Sequence, residues 1–482
     1  MRLLDTRNFK LCSFLVETPP YAILSHRWLE EEVTFKEISD PGKRASLKGW
    51  VKILNCCRVA AEDGWDYVWI DTCCIDKSDN SELSEAINSM FGWYEAAEVC
   101  YAFLDDVPSR KSSMGQPWPW CWHLRSSRWF TRGWTLQELL APGCLLFLSS
   151  DWTVIASGEL LAEEVAMITG IKENQLLDFR SCSAATKLSW AAKRETTRLE
   201  DRAYCLFGLL GINLPLLYGE GNKAFERLQM ELVRQSADET VVLWGKRHIY
   251  ERNRQGLGSR PGRLFATSPA DYASNNDLMV WLFDADRGGF GVANGSLSFS
   301  GRLFELDQCD EKHIFAIELN CTWLSPLSRR KSPMVMLLRN EPAGSALFER
   351  ASIDLRTRDE AAAFVSSSWR DLGKRDIFIV SPRKEPETGR GLAVGGAHLA
   401  IHVKLIPPSY PVGGVPCILS VLKTSTYVLT PTYAGSSQSK KWMKAERTRE
   451  SWAFEDCHIL VLGGKEALIA LGRALLWEVE LH

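Results

Sequence analysis

The sequence predicts an α/β fold, in which a mainly parallel sheet with a helical extension precedes a β-rich C-terminal domain. From Tyr21 to about residue 150, short apolar runs alternate with longer stretches of helical spacing, which is typical of βα units around a parallel sheet. Residues 151–255 continue with helical patterns. Beyond them Gly, Ser, Pro and Asn cluster, and β-like runs follow. We therefore expect one domain over residues 1–255 and a second over residues 276–482.

Four strands of the parallel sheet are predicted from short apolar runs at residues 21–25, 67–71, 99–104 and 144–148. Between them, residues 44–62 and 81–97 place apolar side chains three and four positions apart, as amphipathic helices do. Ser81, with a Ser-Glu pair shortly after it, resembles a helix start. This alternation of strands and helices predicts a sheet core over about residues 20–150.

The last part of this core contains a segment rich in Trp, Pro and Arg. Residues 118–134 lead into the short helical pattern of residues 135–140, which a Pro-Gly pair at 142–143 stops. Further helices are predicted at residues 159–169, 184–194, 200–210 and 222–236. They would form a helical extension over residues 151–255.

The second domain is predicted from apolar runs of strand length. The runs lie at residues 278–283, 296–306, 314–319, 334–338, 377–380, 399–406 and 458–462. Alternation is clearest from Leu399 to Leu405, where the odd positions share one face and Lys404 points to the other. A mostly antiparallel sandwich or barrel is therefore expected. No motif in this domain indicates its role.

Length and charge restrict the classes of function. A chain of 482 residues is too long for one hydrophobic core, and 45% hydrophobic with 24% charged residues is typical of a globular protein. Its 57 basic and 60 acidic residues leave a net charge of -3, so no overall field favours nucleic acid, and we expect no nucleic-acid partner. Because a signal peptide and long uncharged apolar runs are both missing, a cytoplasmic protein without a membrane span is expected.

Thiol and metal chemistry are not predicted. The 14 Cys include adjacent pairs at 56–57 and 73–74, but no C-x-x-C spacing occurs, and buried thiols are the simpler interpretation. His398 and His402 share one face of a predicted strand without a third ligand near them in sequence, so a solvated strand face is favoured over a metal site. We expect no metal and no resident cofactor.

A candidate ligand site lies at the carboxyl end of the first predicted strand. Ser25, His26, Arg27 and Trp28 are found there, where open α/β sheets form their ligand crevice. Arg27 is suited to hold a pyrophosphate and Trp28 to stack on a ring, and the alternative is an ordinary polar loop in which Trp28 packs. Asp71 at the end of the second strand is a further ligand candidate, whose alternative role is to cap a turn or helix.

Six longer phrases occur in the first 250 residues. The first is Pro20-Tyr-Ala-Ile-Leu-Ser-His-Arg-Trp28, and the others lie at residues 69–77, 85–94, 128–142, 200–208 and 215–221. Together they closely resemble the phrases of the fungal heterokaryon-incompatibility (HET) family, in that family's order. The resemblance implies a HET domain over residues 1–255, with a role in non-self recognition and programmed cell death. It also implies a protein trigger, which the sequence does not identify.

HET domains are similar to TIR domains, flavodoxin-like units of which some cleave NAD at the nicotinamide–ribose bond with a glutamate on the helix after the third strand. In this sequence that helix carries Trp134-Thr-Leu-Gln-Glu138, which resembles the Trp-Cys-x-x-Glu phrase of catalytic TIR domains, with Thr135 in place of Cys. The resemblance therefore implies a flavodoxin/TIR-like core, Glu138 as the catalytic residue and Trp134 beside the bound nucleotide.

A carboxylate suits this reaction because cleavage passes through an oxocarbenium-like state at an electron-poor ribose carbon. Glu138 would stabilise that state by its charge or by hydrogen bonds to the ribose hydroxyls. From the residues alone, Glu138 is equally well a helix-start Glu that favours the helix dipole or pairs with Arg132. Two functions stay open: a NAD glycohydrolase acting on NAD or a related nucleotide, or a non-enzymatic signalling or scaffold module that forms a homo-oligomer and recruits partners.

Overall fold

The computed structural model describes residues 1–109, 120–245, 263–275, 278–280, 290–293, 296–309, 312–324, 331–340, 347–350, 356–357, 369–380, 400–403, 417–421, 427–431, 443–448, 451–454, 457–461, 466–471 and 475–480. The chain divides into two units, Met1–Arg383 and Lys384–His482. The predicted boundary near residue 255 falls on residues 246–262, outside the described residues. The domain limits therefore stay a prediction.

A seven-stranded sheet forms the N-terminal part of the first unit. Its strands are β1 (Arg2–Asp5), β2 (Leu11–Ser13), β3 (Ala22–His26), β4 (Tyr67–Trp69), β5 (Val99–Phe103), β6 (Leu145–Leu148) and β7 (Val154–Ser157). They lie in the order β2-β1-β4-β3-β5-β6-β7. The neighbours β4, β3, β5 and β6 are parallel and coincide with the four predicted strands, so the mainly parallel sheet is confirmed.

Three further strands at the edges of this sheet were not predicted from the sequence. β1, β2 and β7 pair antiparallel with their neighbours, and the sequence does not indicate them. Each is three or four residues long and only partly buried, so none shows the apolar run by which a central strand is recognised. These segments become strands because neighbouring strands supply hydrogen-bond partners and packing, which the local sequence does not reveal.

Helices follow the parallel strands. They are α1 (Phe35–Ile38), α2 (Pro41–Ser46), α3 (Trp50–Glu62), α4 (Asp71–Cys74), α5 (Asn80–Ala96), α6 (Trp120–Arg125) and α7 (Thr135–Leu140), with a 3-10 helix at Arg128–Thr131. The helices predicted at 44–62, 81–97 and 135–140 are confirmed, although the first is divided into α2 and α3. Asp79 caps the start of α5, because its side chain accepts hydrogen bonds from the amides of Ser81 and Glu82.

The adjacent cysteines lie where their helices pack. In α3, Ile53, Cys56, Cys57 and Ala60 are buried, which is the three-and-four spacing that predicted the helix. Burial raises the pKa of the Cys57 thiol to about 12 and that of Cys56 well above its usual range. These thiols, like the buried pair in α4, are free, which agrees with the interpretation that they are core residues.

The helices predicted at residues 159–169, 184–194, 200–210 and 222–236 are confirmed, whereas residues 154–157 of the predicted extension form β7. The helical extension consists of α8 (Ala162–Thr169), α9 (Glu173–Leu177), α10 (Ala184–Trp190), α11 (Asp201–Tyr204), α12 (Phe207–Leu210) and α13 (Lys223–Gln235), and 3-10 helices follow at Glu239–Val242 and Pro269–Tyr272. Glu200 holds two parts of it together, because one carboxylate oxygen accepts hydrogen bonds from the amides of Gly219 and Gly221 over 2.8 and 2.9 Å. Glu220 accepts hydrogen bonds from Arg227 and Tyr204.

Close packing joins the helical extension to the sheet core. Gly208 in α12 lies against α5, and a Cβ atom at this position would overlap the Phe91 side chain. Only glycine therefore allows the two helices to approach this closely.

The described residues of the first unit between 278 and 380 include a second sheet. Its strands are β8 (Leu278–Val280), β9 (Gly291–Ala293), β10 (Ser296–Cys309), β11 (Lys312–Leu324), β12 (Lys331–Asn340), β13 (Leu347–Arg350), β14 (Arg356–Thr357) and β15 (Trp369–Val380). All pairings are antiparallel except that of β13 with β15. Glu239 accepts a hydrogen bond from the Asn320 amide over 2.8 Å, which ties β11 to the helical extension.

The second unit is a sheet in which successive strands pair antiparallel. Its strands are β16 (Ala400–Val403), β17 (Cys417–Val421), β18 (Tyr427–Pro431), β19 (Met443–Thr448), β20 (Ser451–Phe454), β21 (Cys457–Val461), β22 (Glu466–Leu471) and β23 (Leu475–Glu480). The mostly antiparallel character is thus confirmed, whereas a sandwich or barrel stays a prediction. His402 lies on β16 opposite Ile418, and His398 falls outside the described residues.

Candidate functional site

The order of the four parallel strands defines where a ligand crevice forms. Numbered by their order along the chain, these strands lie side by side as second, first, third and fourth. The connection after β3 therefore leads to one side of the sheet and the connection after β5 leads to the other. In doubly wound sheets, ligands bind outside the carboxyl ends of the strands at such a switch point. Arg27 and Trp28 follow β3 at this edge, and Asp105 and Asp106 come shortly after β5.

Glu138 occupies the buried part of this candidate site. α7 brings it next to β3, where the Ser25 hydroxyl donates a hydrogen bond to its carboxyl oxygen Oε2. The Trp129 indole N–H in turn donates to Ser25 Oγ over 2.9 Å. Ser25 and Trp129 are fully buried, and Glu138 is 7% exposed. The structure thus joins the predicted catalytic residue to the end of the first strand.

Burial controls the charge of Glu138. Removal from water disfavours the carboxylate and raises its pKa from 4.5 to about 8. The hydrogen bond from Ser25 and the positive charges of Arg194 and Arg132 act in the opposite direction, and the negative charge of Asp71 adds to the increase. At neutral pH the side chain is therefore mainly a neutral acid.

Trp129 and Tyr94 are two residues of this cluster that sequence reasoning missed. The Tyr94 hydroxyl on α5 donates to the carbonyl of Leu24 over 3.1 Å. Burial, and next the proximity of Glu138, raise the pKa of this phenol well above its usual range. Both residues lie inside phrases that resemble the HET family, and this is the signal that could have found them.

Arg194 is a third missed residue, and it comes from the helical extension. It donates to the carbonyl of Arg132 over 2.9 Å and to the Thr135 hydroxyl over 3.0 Å, at the start of the helix that carries Glu138. Burial lowers the pKa of Arg194 to about 10, which leaves it charged at neutral pH. It lies outside the six phrases, so no sequence signal indicated it.

His26 is buried on the other side of β3 from Ser25, because adjacent strand residues point to opposite faces. Its Nε2 lies 3.6 Å from Asp71 Oδ1, and neither ring nitrogen has a hydrogen-bond partner among the described residues. Burial and the nearby charges of Lys52 and Lys77 lower the pKa of His26 to about 3, against the effect of Asp71. The imidazole is therefore neutral.

Trp28, Asp71 and Lys77 form one contact group at the surface. The Trp28 indole N–H donates to Asp71 Oδ2 over 2.8 Å, and Lys77 Nζ donates to the same oxygen over 3.3 Å. The Lys77 ammonium lies 3.5 Å from the Trp28 ring centroid, and Trp28 remains 43% exposed. Asp71 begins α4 but does not cap it, since Ile70 is the N-cap and no side chain bonds there.

The charge balance around Asp71 favours its carboxylate. Burial opposes ionisation, but the charge of Lys77, the proximity of His26 and the hydrogen bond from Trp28 outweigh it and lower the pKa of Asp71. A negative charge therefore persists beside the neutral His26 ring. Such a carboxylate can accept hydrogen bonds from hydroxyl groups of a ligand.

Arg27 lies between two carboxylates. Its guanidinium nitrogens are 3.5 Å from Asp105 Oδ2 and 3.5 Å from Asp106 Oδ2. Asp106 also accepts hydrogen bonds from the Ser127 hydroxyl over 2.7 Å and from the Arg128 amide over 2.9 Å. The side chain predicted to bind pyrophosphate is thus neutralised by acids that follow the third strand, and sequence reasoning missed both of them.

Trp134 contacts Asp201 of the helical extension. It precedes α7, and a hydrogen bond from it to Asp201 on α11 partly offsets the effect of burial, which raises the pKa of that carboxyl. The structure therefore brings Ser25 and Glu138 into direct contact, and His26, Trp28 and Asp71 into a neighbouring group.

Neither a metal cluster nor a membrane helix occurs in the described part of the chain. Those residues contain no group of three or more His, Cys, Asp or Glu side chains able to hold a metal ion. They also contain no helix with the length and apolarity that a membrane crossing requires.

The sequence matches known proteins in the region of this site. Residues 21–117 match the family described as heterokaryon incompatibility protein (HET). Over 222 residues, 44% of this chain, it is 46% identical to vegetative incompatibility protein HET-E-1 of Podospora anserina, and the match spans 16% of that relative's length. No solved structure matches the chain. These findings agree with the motifs of the first 250 residues and show that the chain contains a region of the HET family at residues 21–117.

Proposed function

We propose that this chain is an effector of fungal non-self recognition and cell death, and that its HET domain hydrolyses NAD at the nicotinamide–ribose bond in the cytoplasm. The match to a vegetative incompatibility protein supports the biological role. The observation that carries the chemistry is the buried Glu138 carboxyl next to β3. The second-first-third-fourth strand order, which flavodoxin-like folds share, supports a TIR-like core.

Glu138 is suited to stabilise charge that develops on the ribose. When the bond breaks, its electron pair leaves with the nicotinamide nitrogen and the ribose carbon becomes cationic. A carboxylate held in a site without water stabilises this cation more strongly than one in water does. Water then adds to the ribose carbon and gives its proton to the carboxylate. The nicotinamide ring of NAD is itself cationic, so its arrival favours the ionised form of Glu138.

The groups at the strand edge supply candidate contacts for the rest of the nucleotide. Trp28 offers an exposed ring for stacking, and Asp71 offers a carboxylate for ribose hydroxyls. His26 has unsatisfied ring nitrogens within the described residues. Arg27 binds pyrophosphate in this proposal only after Asp105 and Asp106 release it, because a paired guanidinium has little net attraction for an anion.

Because Arg27 must first leave its carboxylate partners, the proposal includes a resting form of the protein. In that form Glu138 is neutral and Arg27 is paired. Activity is therefore expected to need a trigger or self-association that rearranges the strand edge. The trigger, a homo-oligomer and NAD as substrate are parts of this proposal.

A NAD-loss assay on the purified chain tests the proposal. It is run on the chain alone and on an assembled form, with Glu138→Gln and the exposed-residue control Glu163→Gln in parallel. We expect NAD loss and nicotinamide release in the assembled form, abolished by Glu138→Gln and retained by Glu163→Gln. The expected loss is in kcat rather than in KM, because the charge acts mainly in the transition state.

The competing function is a scaffold that self-associates and recruits partners without chemistry. It predicts that no form of the chain consumes NAD and that Glu138→Gln kills fungal cells as well as the parent does. Either equal killing by a normally expressed Glu138→Gln variant or unchanged NAD loss would remove Glu138 from the mechanism.

A further inference from the structure

We infer that Ser25 is a positioning residue for Glu138 and that Trp129 fixes the direction in which the Ser25 hydroxyl donates. The inference rests on the proposed catalytic role of Glu138. Two hydrogen bonds, from Trp129 to Ser25 and from Ser25 to Glu138, determine which oxygen of the Glu138 carboxyl is free to contact a ligand. It gives Ser25 a role through Glu138 in place of the direct ligand contact that its position at the strand end suggested. Trp129 becomes part of the site rather than of the core alone.

The direction of the hydrogen bonds follows from counting protons. A serine hydroxyl has one proton, and an indole N–H can only donate. Trp129 donates to Ser25 Oγ over 2.9 Å, so the proton of Ser25 is directed to Glu138 Oε2. Oε2 is therefore an acceptor whether Glu138 is neutral or charged. In the neutral acid, the proton lies on Oε1.

The neighbouring tyrosine is consistent with this arrangement. The Tyr94 hydroxyl donates to the carbonyl of Leu24 over 3.1 Å. A hydrogen bond with Glu138 also favours the protonated phenol, so Tyr94 can donate toward the carboxyl as well. When Glu138 ionises, Ser25 still donates to Oε2, because Trp129 fixes the direction of its hydroxyl.

The donors are rigid before any ligand binds. Ser25 lies in the middle of the sheet, paired with Ala102 on β5, and it is fully buried. Trp129 belongs to the 3-10 helix Arg128–Thr131, which Ser127 caps by accepting a hydrogen bond from the Trp129 amide over 3.3 Å. The Trp129 ring also packs edge-to-face on Phe147, with centroids 5.8 Å apart. Donors held in this way cost little reorganisation when charge develops.

Titration of the Glu138 carboxyl in the full-length chain tests the inference without relying on activity. Glutamate is labelled with carbon-13 at the side-chain carboxyl, and the Glu138 signal is the one that disappears in Glu138→Gln. A donor to the carboxylate favours the charged form, so Ser25→Ala should move the midpoint of this signal upward by about one pH unit or more. Trp129→Phe, which keeps a ring but removes the N–H, should move it upward by less.

Two further variants separate positioning from general packing. Ser25→Thr keeps the hydroxyl and should titrate like the parent. Ser149→Ala removes another fully buried serine hydroxyl, one that donates to the Asp151 carboxylate over 2.6 Å, and should leave the Glu138 midpoint unchanged. If Ser25→Ala does not fold, Ser25→Cys provides the same test, because a thiol is a weak donor of similar size.

The outcomes distinguish this inference from the proposed function. An unchanged Glu138 midpoint in folded Ser25→Ala or Ser25→Cys overturns the inference, whatever the chain does to NAD. If the parent never consumes NAD, the proposed function fails, while the titration still decides whether Ser25 controls Glu138. If it does consume NAD, Ser25→Ala should lower kcat at least tenfold with little change in KM and move the rising limb of the pH profile upward. An unmoved limb would overturn the inference.

Discussion

The Ser25 hydroxyl donates a hydrogen bond to Glu138, although 113 positions of sequence separate the two residues. The parallel sheet makes this contact, because β3 lies beside β5 and the chain after β5 returns over the sheet as α7. The Glu138 carboxyl is buried at this contact, and burial raises its pKa to about 8. A group that titrates near the working pH can change its charge when a ligand binds.

The pH dependence of folding stability should reveal the buried acid. Since the pKa of Glu138 is raised from 4.5 to about 8, the folded state binds more protons than the unfolded state within this range. The contribution of Glu138 is full below pH 4.5 and falls as pH rises toward 8, at a rate of up to about 1.4 kcal/mol per unit. Urea unfolding at pH 5.5, 6.5 and 7.5 should show this fall in the parent and not in Glu138→Gln. Parallel curves for the two proteins would contradict a buried neutral acid.

His26 should give the opposite pH dependence. Its pKa is lowered from 6.5 to about 3, so the unfolded state binds more protons between these values and stability is lost as pH falls below 6.5. Between pH 6.5 and pH 5 the loss from this group should be about 2 kcal/mol. His26→Gln removes it, so the difference in unfolding free energy between parent and variant should shrink on acidification. A constant difference would mean that His26 becomes protonated in the folded protein.

Arg27 and Asp105 should affect anion binding with opposite signs. Arg27→Ala removes the guanidinium and should weaken binding of ADP-ribose about tenfold or more, as the loss of a charge-assisted contact does. Asp105→Asn removes one of its two carboxylate partners and should strengthen binding severalfold. Asp66→Asn, which breaks a surface pair with Arg7, serves as the control for charge alone. Calorimetric titration measures all three, and equal affinities in folded variants would remove Arg27 from the site.

Two glycines should respond differently to the same substitution. Gly208→Ala forces a methyl group into the Phe91 side chain and should destabilise the domain by about 1 to 3 kcal/mol or more. Gly92 lies within α5, and beyond its chain neighbours and its own helix backbone no heavy atom of the described residues lies within 4 Å of a Cβ at this position. Gly92→Ala should therefore stabilise the domain by about 0.5 to 1 kcal/mol. Urea unfolding compares them, and a tolerated Gly208→Ala would show that α12 can move away from α5.

Local patterns in the sequence determined most of the architecture. The four parallel strands, α3, α5, α7 and the helical extension follow from the spacing of apolar residues, because burial of one face imposes a period of two or 3.6 on the sequence itself. The position of Glu138 on the helix after the third strand followed from the resemblance to TIR domains. The β-like runs beyond residue 275 became mostly antiparallel strands. The edge strands β1, β2 and β7 were missed because they are short and partly exposed.

Only the tertiary structure decided the electrostatic state of the site. Nothing in the local sequence around Arg27 indicates that Asp105 and Asp106 neutralise it, nor that Ser25 and Trp129 bind Glu138. Trp134 hydrogen-bonds Asp201, a partner that the sequence does not indicate. The physical reason is that periodicity is a property of neighbours along the chain, whereas a pKa or an ion pair depends on which distant groups meet and how much water remains between them.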